Sequence, residues 1–328
     1  MTIKFNNVYL ENVSTVAGPF VIEGPLKDNF DKKFTDFYDG EKTFEKCEMK
    51  ELKESIKILL DKTKYNEEDI SFGISADLMN QLTISNFVYS KLNIPFLGVY
   101  NACASVCEEI LIASSILENE KNKKAICTTS SHNMTSERQF RNPVEYGAPK
   151  PKTTTFTVTG AASLMLTNAK TDIKVTSATI GKVIDMGVDN VFDMGAVMSP
   201  SAAYTLNEHL KQTKTKVSDY DLILTGDLGV YGKDIFKEIC EKEYNIKLDK
   251  NYDDTATMIY DYKENIYAGG SGPACMPLVV YSSIIPKMKQ RIIKKVLLIA
   301  TGALMSPTTC NQKFSIPSVS HAVCLEVI

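Results

Sequence analysis

The stretch Gly98-Val-Tyr-Asn-Ala-Cys-Ala-Ser-Val-Cys107, continuing through Glu108-Glu-Ile-Leu-Ile-Ala-Ser-Ser-Ile-Leu117, decides how the rest of the chain is read. The apolar run Ile94–Tyr100 reads as a buried strand. Small residues from Asn101 to Ser105 then turn the chain, and Val106, Ile110, Ala113 and Leu117 recur at helical spacing. A thiol, Cys103, therefore stands where a strand gives way to a helix. The first helical N–H groups have no intrahelical partner and can face an anion there. Such a cysteine is expected to have a lowered pKa and access to a pocket. A small buried thiol packing a corner fits the same residues, so the local sequence leaves both readings open.

Outward from this stretch the chain alternates strands and helices. Upstream lie an amphipathic helix from Phe44 to Lys62, the strand Asp69–Ala76 ending at Asp77, and a helix from Ile84 to Leu92. Downstream, Lys124–Ser130 is a strand ending at Ser131-His132-Asn133. Residues 133–152 are polar and read as a long loop, and Thr153–Leu166 reads as one bent strand or two. The order then repeats. Asp219–Gly226 is a strand ending at Asp227, and Tyr267–Cys275 turns into the apolar helix Met276–Ile285. Val296–Gly302 matches 124–130, and Phe314–Val327 closes like 153–166. Such a repeat is an internal duplication. Strands alternating with helices predict parallel sheets covered on both faces. The expected fold class is α/β, with two pseudo-equivalent halves, residues 1–170 and 171–328. They enclose a shared pair of buried helices, and the cleft lies where the halves meet.

Composition narrows the function classes. The 328 residues carry 37 basic and 40 acidic side chains, a balance that gives no field for nucleic acid. No apolar run reaches spanning length and the start of the chain does not read as a signal peptide, so synthesis in the cytoplasm is expected. The 8 cysteines are scattered without a C-x-x-C pair, which points to reduced thiols and neither a disulfide framework nor a zinc site. Only three histidines, His132, His209 and His321, are available as bases.

A duplicated βαβαβαββ core with a cysteine at the start of the first buried helix resembles the thiolase fold, with its αβαβα layering. That family includes thiolases and ketoacyl synthases, and Cys103 falls on its nucleophile position. Thr153–Leu166 is similar to the strand pair after the nucleophile half of ketoacyl synthase III enzymes. The chain more closely resembles the SpoVAD family of sporulation proteins. The similar segments include Thr128–Asn133, Glu137–Arg141, Glu145-Tyr-Gly147, Val158-Thr-Gly160, Leu222–Leu228, Ala268–Gly272 and Ala300–Leu304. The resemblance implies binding of dipicolinic acid (pyridine-2,6-dicarboxylate), or of its calcium chelate, in spores. It further implies membrane proteins of the SpoVA system as partners, peripheral association with the spore inner membrane, uptake or release of the ligand there, and a part in germination. It implies a homodimer paired through the strand that follows the cysteine helix, and no cofactor.

Condensing chemistry in the thiolase family needs a histidine after the strand equivalent to Leu222–Gly226, and a histidine or asparagine at the second buried helix. Here those places hold Asp227 and Gly269-Gly-Ser-Gly272, with Ser271 the only polar side chain. An anion at Asp227 is expected to repel a developing oxyanion, so the chain is read as a non-catalytic binder. The alternative is an acyltransferase or condensing enzyme that keeps Cys103 as nucleophile. His209, in a lysine-rich helix, is expected on the surface. For a flat dianion the candidate ligands are Arg138 and Arg141, three apart, with Lys152, His132, Cys103, Asp227 and Ser271. Arg138 and Arg141 could instead form ion pairs with Glu137 and Glu145, and His132 could bond a loop carbonyl. Asp77, Asp185 and Asp227 could cap helices. The methionines of Met186–Met198 are read as lid or core filler. No EF-hand-like spacing supports a calcium site, and no metal site is expected.

Overall fold

The computed structural model describes residues 1–141, 146–147, 149–261 and 266–328. Glu145, a candidate ion-pair partner, lies outside the described residues.

The first half runs β1 (Thr2–Lys4), β2 (Tyr9–Ala17), β3 (Lys32–Lys33), α1 (Phe44–Thr63), β4 (Phe72–Ala76), α2 (Thr83–Tyr89) and β5 (Phe96–Gly98). It continues with α3 (Ser105–Leu117), β6 (Lys124–Ser131), α4 (Asn133–Phe140), β7 (Phe156–Thr157) and β8 (Gly160–Thr167). The second half runs β9 (Ile173–Thr179), α5 (Met194–Thr213), β10 (Leu222–Thr225), α6 (Gly229–Tyr244), β11 (Tyr252–Asp254), α7 (Ala256–Ile259) and β12 (Gly270–Ser271). It closes with α8 (Cys275–Val279), a π-turn (Val280–Ile284), α9 (Ile285–Lys289), β13 (Lys295–Ala303), α10 (Pro307–Asn311) and β14 (Ser318–Val327).

The strand order β5-β4-β6-β8-β2-β9-β14-β13-β10-β11 reads the same in equivalent strands from either end. The halves join where β2 and β9 meet antiparallel at Tyr9↔Lys174 and Leu10↔Ile173. In each half two strands pair parallel on one side, β4 with β6 and β10 with β13, and a long antiparallel partner closes the other, β8 and β14. This is the duplication in three dimensions. Among the described residues β6 is paired on both edges, by β4 and β8, and so offers no edge to a second copy. The strand that follows the cysteine helix is therefore an inner strand of the sheet. The outer strand of this half is β5, which precedes the cysteine helix and, among the described residues, pairs only with β4.

Both helices expected in the centre are there. The helix α3 packs on β4 and β6 of its own half and on β9, β13 and β14 of the other. The helix run α8–α9 packs in turn on β2 and β8 of the first half. One continuous core holds Ile110, Ala113 and Leu117 of α3 together with Leu278, Val279 and Ile284 of the second buried helix. Outer helices cover the far faces. Leu52, Ile56 and Leu59 of α1 pack with Ile126 and Met165, and Met198, Ala202 and Leu206 of α5 pack with Ile223 and Leu297. Burial on both faces explains why the strands read as continuous apolar runs. Caps fix the outer helices: Thr43 Oγ1 accepts from Lys46 N (3.3 Å) and Asp193 Oδ1 from Ala196 N (3.2 Å). Lys64 and Lys214 end them in the left-handed conformation.

Two local expectations fail. Residues 133–140 are a helix, not a loop. Asn-Met-Thr-Ser-Glu-Arg-Gln-Phe lacks an apolar stripe, and the helix is started by a ring nitrogen: His132 Nδ1 accepts from Met134 N (3.3 Å). His209 is fully buried, not on the surface. Its ring bridges Thr179 Oγ1 (2.7 Å) and the Tyr220 hydroxyl (3.0 Å), and burial lowers its pKa to about 4.

Candidate functional site

Cys103 sits in a 3-10 turn, Ala102–Ala104, ahead of α3. Ala102 is left-handed at φ 48°. Ser105 ties the turn from inside: its hydroxyl donates to Ala102 O (2.8 Å) and accepts from Asn101 N (3.2 Å). Gly302 of β13 lets the turn approach, since a Cβ there would stand 2.4 Å from Asn101 O. His321 of β14 braces the same turn. Its Nδ1 accepts from Gly181 N (3.1 Å), so the proton is on Nε2, 3.1 Å from Asn101 Nδ2, and that bond forms with the amide turned to present its oxygen. Sequence reading gave His321 no part near Cys103. It reaches there because β14 carries it across from the second half.

Next to the turn lies a cavity of about 310 Å³, at the small end of the roughly 300–1,000 Å³ of small-molecule sites. Both halves line it. Tyr100, Cys103 and Arg141 come from the first, and Met194, Ser271 and Leu304 from the second. Ser271 and Thr157 enter together because β12 and β7 pair in parallel at those residues. Met194 and Met198 at the start of α5 form an apolar wall, whereas Met186 is exposed.

Of the candidate ligands, Cys103, Arg141 and Ser271 border this cavity. Arg141 is nearly buried (side chain 7% exposed) and is held by Glu137, with Nη1–Oε1 at 2.7 Å and Nε donating to Val191 O at 3.3 Å. Glu137 also pairs with Lys150 at 2.9 Å. Arg138 is turned away, half-exposed and paired with Glu45. Arg138 lies in α4 and Arg141 is its C-cap, outside the helical conformation, and the two have different partners, so they do not form the expected clamp. Lys152 is exposed in the turn before β7. His132 is fully buried between Phe37 and Phe44, with Nε2 donating to Phe37 O (3.0 Å), and burial lowers its pKa to about 4.

Asp227 lies beneath the cavity floor, buried and left-handed at φ 67°. Its Oδ2 accepts from Gly272 N (2.7 Å), and its Oδ1 has no oxygen or nitrogen partner among the described residues. The thiols of Cys103 and Cys275 interact with this carboxyl. Burial pushes its pKa up to about 8, helped by the charge of Asp254 and opposed by bonds from Cys103, Gly272 and Cys275. The carboxyl is therefore mostly protonated at neutral pH, and repulsion of an oxyanion sets in only above about pH 8. The Cys103 thiol is pushed well up by burial first and then by Asp227, against weaker pulls from the Gly272 N–H and Arg141. The lowered thiol pKa expected from a helix start is thus reversed. The cysteine precedes the helix and is buried, and the carboxyl of Asp227 adds to the effect of burial.

Two further acids near strand ends cap helices. Asp77 accepts from Met79 N (2.8 Å), Ser85 N (2.8 Å) and Ser85 Oγ (2.7 Å). Asp254 accepts from Leu228 N (3.3 Å), Gly229 N (3.0 Å) and Ala256 N (3.0 Å). Exposed Asp185 accepts from Gly187 N (2.9 Å) and Ser315 Oγ (2.6 Å). Among the described residues no group of three His, Cys, Asp or Glu side chains could hold a metal ion.

Comparisons with known proteins match this arrangement. The solved structure of 3-oxoacyl-[acyl-carrier-protein] synthase III from Aquifex aeolicus VF5 superposes with a TM-score of 0.60 at 13% identity, over 97% of this chain and 99% of that one. OleA of Xanthomonas campestris, in a single-residue variant form, superposes with a TM-score of 0.61 at 14% identity, over 99% of both chains. At such identity the likeness establishes the thiolase fold and nothing of the chemistry. Stage V sporulation protein AD of Bacillus subtilis (strain 168) is 40% identical over 319 residues, 97% of this chain and 94% of that protein. A sequence model of the family Stage V sporulation protein AD (SpoVAD) matches residues 1–326, and the chain accordingly belongs to that family of sporulation proteins.

Proposed function

We propose that this protein binds dipicolinate, alone or as its calcium chelate, in the cavity beside Cys103, and does so without catalysis. The observation that carries this reading is the pairing of one fixed guanidinium, Arg141, with a largely apolar cavity whose cysteine is kept protonated. A carboxylate on Arg141 gains a charge-assisted bond, while the aromatic ring meets Met194, Tyr100 and Leu304. A single cation already paired with Glu137 cannot balance a dianion in an apolar setting, which favours a ligand without net charge. That condition suits the neutral calcium chelate better than the bare dianion.

Among the described residues no helix is long and apolar enough to cross a membrane. Movement of ligand across the spore inner membrane then falls to membrane proteins of the SpoVA system, with this chain at the membrane periphery. The chain is proposed to act as a homodimer, paired through the outer edge of β5, where Leu97 is 46% and nearby Phe87 59% exposed. Leu97→Lys should halve the mass seen by light scattering, and an unchanged mass would reject that edge.

Titration calorimetry with dipicolinate, with and without calcium, tests the reading on wild type beside Arg141→Gln. Because Arg141 also neutralises buried Glu137, Leu304→Trp, which fills the cavity and keeps that pair, serves as second variant. Saturable binding lost in both supports the site. No heat and no thermal shift at millimolar ligand reject it.

One observation favours acyl transfer as the second reading: protonated Asp227 beside Cys103 could donate to an oxyanion. Intact-mass spectrometry after incubation with acyl-CoA decides. A stable adduct lost in Cys103→Ser would establish that reading, and an unmodified mass would remove it.

A further inference from the structure

An open groove of about 780 Å³ lies in the second half, between the end of α5, residues 215–218 and the segment 245–251 that follows α6. The helix α5 sets its distance from the cleft. Met194 at the helix start lines the cavity beside Cys103, and Lys211 near its end lines the groove. At about 1.5 Å per residue the two places stand roughly 25 Å apart along the helix. Internal hydrogen bonds fix the groove's shape. Asn251 Nδ2 donates to Val217 O (2.9 Å) and Tyr220 O (3.0 Å), which ties 245–251 to the turn opposite. Thr215 N donates to Leu210 O (3.0 Å), which holds that turn on α5. Lys214 and Asn245 are left-handed and end α5 and α6 at the groove.

Charge in the groove is one-sided. Four exposed lysines, Lys211, Lys216, Lys247 and Lys250, line it against a single acid, Asp249. Among the described residues none of these five side chains makes an ion pair. Lys233, Lys242 and Lys295 of the same half do, with Asp253, Glu238 and Glu326. Beneath the lysines the floor is apolar: Leu210, Val217 and Ile246 belong to the groove and pack on the core of this half. None of the large exposed apolar side chains of the described residues lies in the groove. A lipid surface takes projecting apolar side chains beside its cations, and none projects here. A recessed apolar floor under a cationic rim instead fits a chain that enters it, with carboxylates at the rim and apolar side chains below.

We propose that this groove docks an acidic segment of a partner protein, its carboxylates on the four lysines and its apolar side chains on Leu210, Val217 and Ile246. One exposed ion pair contributes little, so the lysines act together and with the floor. The fixed walls leave little to order on binding. A partner seated here leaves the mouth of the cleft open, because α5 holds the two apart. The docking therefore does not depend on the function proposed for the cleft.

Fluorescence anisotropy of the full chain tests it, with a short labelled peptide of Glu, Leu and Ser beside a counterpart carrying Gln for Glu. The expected result is saturable binding of the acidic peptide alone, weakening as salt rises. Lys211→Glu combined with Lys250→Glu should weaken it at least tenfold and leave urea unfolding unchanged, since both side chains are exposed. Leu304→Trp in the cleft should bind as wild type does. So should Lys121→Glu combined with Lys123→Glu, which reverses two exposed lysines elsewhere. No binding, equal binding of the Gln peptide, equal binding in the groove variant, or an equal loss in the Lys121 and Lys123 variant would each overturn the assignment. Flotation with phosphatidylglycerol vesicles that the groove variant abolishes would replace the partner protein with a lipid surface and overturn it too.

Discussion

Asp77 and Asp227 stand at the same place in the two halves, each just after the second parallel strand, and their fates differ. Asp77 spends its carboxyl on the turn and helix that follow it, accepting from Met79 N, Ser85 N and Ser85 Oγ. Asp227 does not cap the helix after its own strand. That duty has passed to Asp254 on the neighbouring strand, which accepts from Leu228 N and Gly229 N. Asp227 is thereby released to turn inward, at the cost of a left-handed backbone, and to meet the thiols of Cys103 and Cys275. The comparison teaches that a duplicated fold can free one copy of a residue for a site by moving its structural work to a neighbour.

Four changes would break or sharpen that contrast. The largest effect is expected for Asp254→Ala, which strands three buried N–H groups and Thr225 Oγ1 and should cost about 4 kcal/mol in denaturant unfolding. The second is a pH effect. The folded carboxyl of Asp227 titrates near 8 against an ordinary 3.8, so the native state holds a proton that the unfolded chain has released. Its contribution is complete below about pH 4, falls as pH rises towards 8, and is constant beyond. At roughly 1.4 kcal/mol per unit, Asp227→Asn should remove about 3 kcal/mol of the decline between pH 5 and 7, measured as paired urea curves. Glu48, raised to about 8 by burial, gives wild type and variant alike a remaining slope of the same sign. The third is Asp77→Ala, which loses a cap and should cost about 2 kcal/mol, and which also lowers the pKa of Glu48, raised by burial and then by the Asp77 charge, so that part of the pH profile near 8 moves down with it. The fourth leaves stability aside. At pH 9, where the Asp227 carboxyl is ionised, Cys103 should alkylate slowly with iodoacetamide in wild type and several-fold faster in Asp227→Asn, because burial alone then raises the thiol pKa; at pH 6, where the carboxyl is neutral, the two proteins should react alike.

The duplication was legible because the strands of each half are covered on both faces, so strands read as apolar runs and the buried helices as apolar stretches between small-residue turns. Cys103 was legible as a cleft residue for the same reason. The helix α4 was not, since its start depends on a histidine ring nitrogen and its sequence carries no stripe. His209 was placed outside because lysines surround it. Yet Met198, Ala202, Thr205 and His209 recur at helical spacing and are all buried, a signal present in the sequence. Arg138 and Arg141 show where spacing stops informing. Three residues apart, the first in α4 and the second at its non-helical C-cap, they are separated by partners, Glu45 from a distant helix and Glu137 one turn back. The thiol pKa runs against the helix-start argument because burial raises it first, and the acid that adds to burial comes from the other half of the chain.

The central claim is that the cavity beside a silenced cysteine holds an aromatic dicarboxylate on Arg141. Calorimetric titration of wild type and Leu304→Trp with dipicolinate, with and without calcium, tests it most directly. The account predicts one saturable site per chain, stronger with calcium, and at least tenfold weaker binding in the variant. Equal binding in both proteins, or none at millimolar ligand, would contradict it.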